Sequence, residues 1–180
     1  MISDSAKRGL SEIFTQAACS SFPMGAGDPI RVEALQGGLS HSLPGKQLLV
    51  LTIANFSFRV LTIFHVEADD PAIRAYFSKP EADLAFADVF PEVGNLCCGA
   101  MNRELGKYFV HLGMSTPYQL DQQCLSFIDV LKPGHVAQHR IVIGDDIALH
   151  ATLCLRAYAP IDFRYEVPKE AIDTGCLELF

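Results

Sequence analysis

Phe86-Ala-Asp88-Val-Phe90-Pro91-Glu92-Val93-Gly94-Asn95-Leu-Cys97-Cys98-Gly99-Ala-Met101-Asn102-Arg-Glu-Leu105 is the stretch on which the fold and function of this sequence turn. At about 100° per residue, Phe86, Phe90, Val93, Cys97, Met101 and Leu105 fall on one face of a helix. Nearly opposite lie Asp88, Glu92, Asn95, Gly99 and Asn102, spaced by four, three, four and three. This second stripe carries no apolar side chain and spans roughly 21 Å along the axis. One face is built to pack, the other to face outward. An ordinary solvated face is dressed with Lys, Glu, Arg and Gln; here it is acid, acid, amide, glycine, amide. Gly99 costs about 1 kcal/mol relative to Ala. Pro91 costs about 3 kcal/mol in a helix interior, so it is expected to kink or divide the segment. Such departures from local propensity collect at functional sites. The plain alternative is an amphipathic helix whose outward carboxylates arose by chance.

Outward from this segment, the chain alternates between helical runs and groups of strands. Ser3 and Asp4 suit the start of a helix carrying Leu10, Ile13, Phe14 and Ala17 and ending near Ser20-Ser21. A strand from Ile30 to Leu35 follows, then loop residues Gly37-Gly38 and Pro44-Gly45. Leu48 to Ile53 and Phe56 to Val66 are rich in β-branched and aromatic residues and predict two strands joined near Asn55. Asp69-Asp70-Pro71 marks a helix start, running to about Phe77 before Lys79-Pro80. Beyond Tyr108 the strand signals are Phe109 to Ser115, Cys124 to Leu131, Val136 to Ile143 and Ile147 to Tyr158. Gly144-Asp145-Asp146 forms the last hairpin turn. The tail after Pro160 is mixed, with a short helix after Pro168. Strands in runs, not alternating singly with helices, give an α+β class: an antiparallel sheet with helices packed on one face. The 180 residues suit one domain, 1–180, able to bury roughly 70% of the unfolded chain's surface.

Composition narrows the function. Apolar residues make up 49% and charged ones 19%, a globular balance. A net charge of −7 disfavours nucleic acid, which needs a basic stripe to displace counterions, and anionic membrane surfaces. No apolar run is long enough to span a bilayer, and the polar N-terminus lacks the core of a signal peptide. Cys19, Cys97, Cys98, Cys124, Cys154 and Cys176 include no CxxC, and most sit in apolar runs as reduced core thiols of a cytoplasmic protein. Cys97 points to the packed face, while Cys98 lies on its flank.

The segment Asp88-Val-Phe-Pro-Glu92-Val-Gly-Asn95 resembles the CheX/CheC family of chemotaxis phosphatases, whose pattern is Asp/Ser-x3-Glu-x2-Asn on an exposed helix. The helical continuation through Gly99 to Leu105, Ser115-Thr-Pro117 and the closing strands around Ile141 and Ala151 to Leu155 fit the same family. The likeness covers about residues 80–157. Only one motif copy is present, because the opening helix has Glu12 without an Asn three residues later; this is the CheX arrangement. The resemblance implies helices over an antiparallel sheet, a homodimer joined at sheet edges, and a phosphorylated CheY-like receiver domain as partner. It gives Glu92 and Asn95 the catalytic roles: Asn95 orients the attacking water and Glu92 docks on the receiver lysine. Asp88, Gly99 and Asn102 would form the contact rim. No cofactor of its own is implied, Mg2+ being expected on the partner. The leading alternative is a non-catalytic receiver-binding or flagellar-switch accessory module of the same fold.

Other motifs carry less. His135-x3-His139 has metal-ligand spacing only on a helix, whereas on a strand the two rings stand about 13 Å apart. His111 and His150 suit sheet positions. Ser40-His41-Ser42 lacks a nucleophile elbow, and Gly25-x-Gly27 lacks the Lys-Ser/Thr of a phosphate loop.

Overall fold

The computed structural model describes residues 1–25, 27–36, 40, 43–78 and 84–167. The Gly37-Gly38 loop, His41, the helix stop at Lys79-Pro80, the helix after Pro168 and Cys176 lie outside the described residues.

Helix α1 (Asp4–Ser21) starts where expected: the Ser3 hydroxyl accepts from the Ala6 amide at 3.1 Å, a cap worth about 1 kcal/mol. Its Leu10, Ile13, Phe14 and Ala17 are buried. Strands β1 (Ile30–Ala34), β2 (Gln47–Ala54) and β3 (Phe58–Val66) follow. Asn55 makes the β2–β3 turn, its Oδ1 accepting from the amides of Ser57 and Phe58. Asp70 caps the short helix α2 (Pro71–Tyr76) through the Ala72 and Ile73 amides, with Pro71 in the first turn. Helix α3 (Phe86–Leu105) leads to β4 (Gly113–Met114), β5 (Tyr118–Asp121), a 3-10 helix (Gln122–Leu131), β6 (His135–Ile143) and β7 (Ile147–Ala157). Gly144, with φ 59°, turns β6 into β7.

The seven strands of the described residues join one sheet of order β1-β6-β7-β3-β2-β4, with β5 also on β2. Every pairing is antiparallel. Because side chains alternate across a strand, Leu49, Leu51, Phe64, Leu153 and Ile141 meet α1 and α3 on one face. This is the helix-covered antiparallel sheet expected of an α+β chain.

Two strand expectations are corrected. Cys124 to Leu131 is a 3-10 helix lying on the opposite face of the sheet, where Leu125 and Ile128 pack on Leu48, Val50, Ile63 and Cys154. The Asp121 side chain caps its first turn through the Gln123 amide, and the buried residues recur every third position, the eclipsing period of a 3-10 helix. Phe109 to Ser115 is extended only at Gly113–Met114, because helical turns persist to the Phe109 amide and His111 adopts φ 58°. His111 is therefore an exposed loop residue, not a sheet residue, whereas His150 does lie in β7.

Candidate functional site

Helix α3 runs unbroken through Pro91, so the proline does not divide it. Pro91 lacks the amide that the Ala87 carbonyl would accept from, which leaves that carbonyl without its helical donor. Ala85 has no side chain to cap the helix; instead Asp88 Oδ2 accepts from the Ala85 amide at 3.2 Å. Asp88 thus holds the helix start, and its charge suits the positive end of the helix dipole.

Gly94 seats the helix. A Cβ there would lie 2.8 Å from Leu49 Cδ2 and 3.5 Å from Phe64 Cε2, so the bare backbone is what lets α3 rest on β2 and β3. Val93, Cys97, Cys98, Met101 and Leu105 complete the buried face. Burial pushes the Cys98 thiol up to about 12, and the fully buried Cys97 higher than an ordinary thiol for the same reason. Both are core residues, including Cys98.

The opposite face carries the predicted stripe. Asp88 and Glu92 are exposed; Asn95, Gly99 and Asn102 are half-buried. The side chains of Glu92 and Asn95 make no hydrogen bond or ion pair with the described residues, so both are free to serve a partner. Asn102 Oδ1 is buried without a hydrogen-bond partner among the described residues. Among the described residues, what comes within 4 Å of the position a Cβ on Gly99 would take is the Arg103 guanidinium, its Nη1 at 3.7 Å.

Two members of this face were missed by the polar stripe. Leu96 is 53% exposed, and Arg103 is exposed beside Gly99. The spacing carries the signal: Asp88, Glu92, Leu96, Gly99 and Arg103 follow steps of four, four, three and four, as helical as the polar stripe. The half-buried Asn95 and Asn102 lie on one flank of this ridge, and the exposed Leu96 and Arg103 on its crest.

The remainder of the helical layer is less available. Residues 161–167 cross one flank of α1, where Phe163 and Tyr165 sit on Gly9, and the Phe163 ring meets Tyr108 at a tilt and Phe109 edge-on, at 4.9 and 5.5 Å, just beyond α3. On α1 the position three after Glu12 is Thr15, whose hydroxyl donates to the Ser11 carbonyl at 3.0 Å. The two fully buried histidines, His65 and His139, belong to the core. His139 is buried against Phe14 at 4.8 Å, and burial lowers it to about 4. His65 bonds Thr152 across the sheet at 2.9 Å and is likewise held at about 4, mainly by burial and then by the neighbouring His150. Ser115, of the Ser-Thr-Pro segment, ties β2 to the chain after β4: its amide donates to the Thr52 carbonyl and its hydroxyl accepts from the Thr52 amide.

No protein-family model matches the chain, and no curated protein sequence matches it. Solved structures do. The Vibrio vulnificus chemotaxis protein CheX has a TM-score of 0.60 at 10% identity, over 82% of this chain and 99% of that one. A chain of the Borrelia burgdorferi CheX–CheY–BeF3–Mg2+ complex gives 0.56 at 13% identity, over 82% of this chain and 97% of that one. A CheC-like superfamily protein from Shewanella sp. PV-4 gives 0.54 at 9% identity, over 86% and 99%. The fold is that of CheX and CheC-like proteins, as the α3 motif led one to expect.

Proposed function

We propose that this chain accelerates hydrolysis of the aspartyl phosphate on a CheY-like response regulator, with the α3 ridge inserted at the phosphorylated pocket. The observation that carries this reading is the pairing of Glu92 and Asn95 on the outward side of α3 with no partner among the described residues of their own chain. It is supported by the shared fold with a protein solved as a CheX–CheY–BeF3–Mg2+ complex, BeF3 being a stand-in for a phosphoryl group.

The reaction asks little of the helper. Water adds to phosphorus in line with the departing aspartate oxygen, the phosphorus–oxygen bond to the aspartate breaks, and inorganic phosphate leaves. Catalysis is then mostly positioning and charge stabilisation. Asn95 can donate and accept at once, so it orients the water without titrating. Glu92 offers a carboxylate for a charge-assisted bond to the receiver lysine. The two lie three residues apart, roughly 4.5 Å in rise, so one insertion delivers both. Asp88, Gly99 and Asn102 form the rim: Gly99 keeps the ridge low, while Asp88 contributes mainly by holding the helix start. The chain brings no metal to this step; Mg2+ belongs to the receiver. The setting is cytoplasmic, where receivers are found.

The same reading includes a homodimer. The β1 edge carries charges, with Glu33 bound to Arg31 at 2.7 Å and to Arg140 at 3.5 Å, which blunts strand addition. The β4–β5 edge is apolar, with Met114, Tyr118 and Leu120 exposed beside a cavity of 340 Å3 rimmed by Phe127 and Val130. A second copy adding at β5 would cover both.

The test is the lifetime of receiver phosphate together with binding to the receiver. Asn95→Ala is expected to lose stimulated hydrolysis while still binding, and Glu92→Ala to lose much of both. Binding of phosphorylated receiver by the wild type with no change in lifetime would move the assignment to the receiver-binding or flagellar-switch accessory reading.

A further inference from the structure

The crest of α3 is more than an acid and an amide. Arg103 reaches back one turn over the bare Gly99 backbone, as helical side chains lean toward the N-terminus. It has no acidic partner among the described residues: its neighbour Glu104 is held by Lys107 at 2.7 Å, and the residue one turn before it is a glycine. Between Arg103 and Glu92 stands Leu96, apolar and 53% exposed. The order along the ridge is therefore anion, apolar side chain, bare backbone, cation. The Cα of Glu92 and the level at which the Arg103 guanidinium sits are about 10 Å apart along the axis, seven residues of rise, and the Glu92 carboxylate leans further toward the N-terminus.

We infer that Arg103 and Leu96 are specificity-determining contacts, so that the partner presents a cation to Glu92 and a carboxylate to Arg103 at least about 10 Å away, with an apolar spot between them. This rests on the receiver reading above and names what the receiver must display. The guanidinium sits about 6 Å along the axis from the level of Asn95, toward the C-terminal end of the ridge and so to one side of the phosphoryl group whose water Asn95 orients. Its complement is therefore an acidic side chain beside the pocket. A guanidinium recognises a carboxylate through two parallel N–H donors, which a lysine cannot reproduce. Opposite charges at the two ends also reject the reversed docking, in which acid would face acid and cation would face cation.

The experiment uses the whole chain, its cognate CheY-like receiver, and the variants Arg103→Ala, Arg103→Lys, Leu96→Ala and Asn95→Ala. Arg103 is exposed and makes no ion pair, so its variants are expected to keep the wild-type melting temperature. Affinity for the receiver loaded with BeF3 and Mg2+ is measured at several salt concentrations, and phosphate lifetime is measured in parallel. The expected result for Arg103→Ala is about tenfold weaker binding and a correspondingly raised KM, with kcat within about twofold of wild type and a shallower salt dependence. Arg103→Lys recovers only part of the loss, and Leu96→Ala weakens binding without altering the salt dependence. Wild-type affinity and salt dependence in Arg103→Ala, beside an inactive Asn95→Ala, overturns this inference and leaves the phosphatase reading intact. If wild type binds the loaded receiver without shortening its phosphate lifetime, and Arg103→Ala still binds tenfold more weakly, the ridge contact stands and catalysis falls. Absence of binding by the wild type overturns both.

Discussion

Gly94→Ala and Gly99→Ala make the same chemical change five residues apart on one helix, and the structure assigns them opposite outcomes. Either alanine gains about 1 kcal/mol of helix propensity over glycine. At Gly99 the new methyl meets only the Arg103 guanidinium at 3.7 Å, an ordinary contact, so most of that gain is kept. At Gly94 it would meet Leu49 Cδ2 at 2.8 Å, about 0.7 Å inside the normal range for two carbons. Leu49 is 1% exposed and hemmed by the same core, so it cannot swing away. Overpacking of this kind costs about 1–3 kcal/mol. Net of propensity, Gly94→Ala should lose about 1 kcal/mol and Gly99→Ala gain up to that amount, a separation of a few degrees in melting temperature between them. Relief by lifting α3 would also displace Glu92 and Asn95, and misplacement of about 1 Å can cost a hundredfold in rate. Urea unfolding and thermal melts of both variants, with receiver phosphate lifetimes beside them, give the comparison. Equal stabilities, or a Gly94→Ala protein more stable than wild type, would refute the claim that Gly94 seats the helix.

His139 gives a pH prediction. Its folded value of about 4 lies below the ordinary 6.5, so the unfolded chain binds the proton first; stability is full above about pH 6.5 and falls as pH drops toward 4. His139→Phe should remove roughly 2 kcal/mol of that loss between pH 6.5 and 4.5, measured by urea midpoints, while the loss due to His65 remains. Thiol labelling of the native protein, mapped by mass spectrometry, should find exposed Cys124 modified well before buried Cys97, Cys98 and Cys154. Leu120→Glu, placed on the apolar β5 edge, should yield monomer by sedimentation equilibrium without loss of fold; an unchanged mass distribution removes β5 from the dimer proposal.

Much of the fold was legible because its signals were local and redundant. Ser3, Asp70-Pro71, Asn55 and Gly144 each act within a few residues, and each lies where it was read. The 3-10 helix was not legible because Cys124 to Leu131 is as apolar as a buried strand; only the threefold recurrence of Leu125 and Ile128 separates the two. Asp88, Glu92, Asn95, Gly99 and Asn102 could be placed on one side of α3 from spacing alone, with Glu92 exposed and Asn95 half-buried. What spacing could not supply was which neighbours press on that side: the unpartnered Asn102 Oδ1, the cap made by Asp88, and the guanidinium lying over Gly99 depend on contacts outside the pattern.

The most direct test of the α3 assignment is an NMR footprint of the isotope-labelled protein titrated with the receiver, first inactive and then loaded with BeF3 and Mg2+. The predicted result is a set of shifts that grows on loading and centres on the Glu92, Asn95 side-chain amide and Gly99 signals. Shifts confined to the β5 edge and the 3-10 helix, with those α3 signals unmoved, would contradict it.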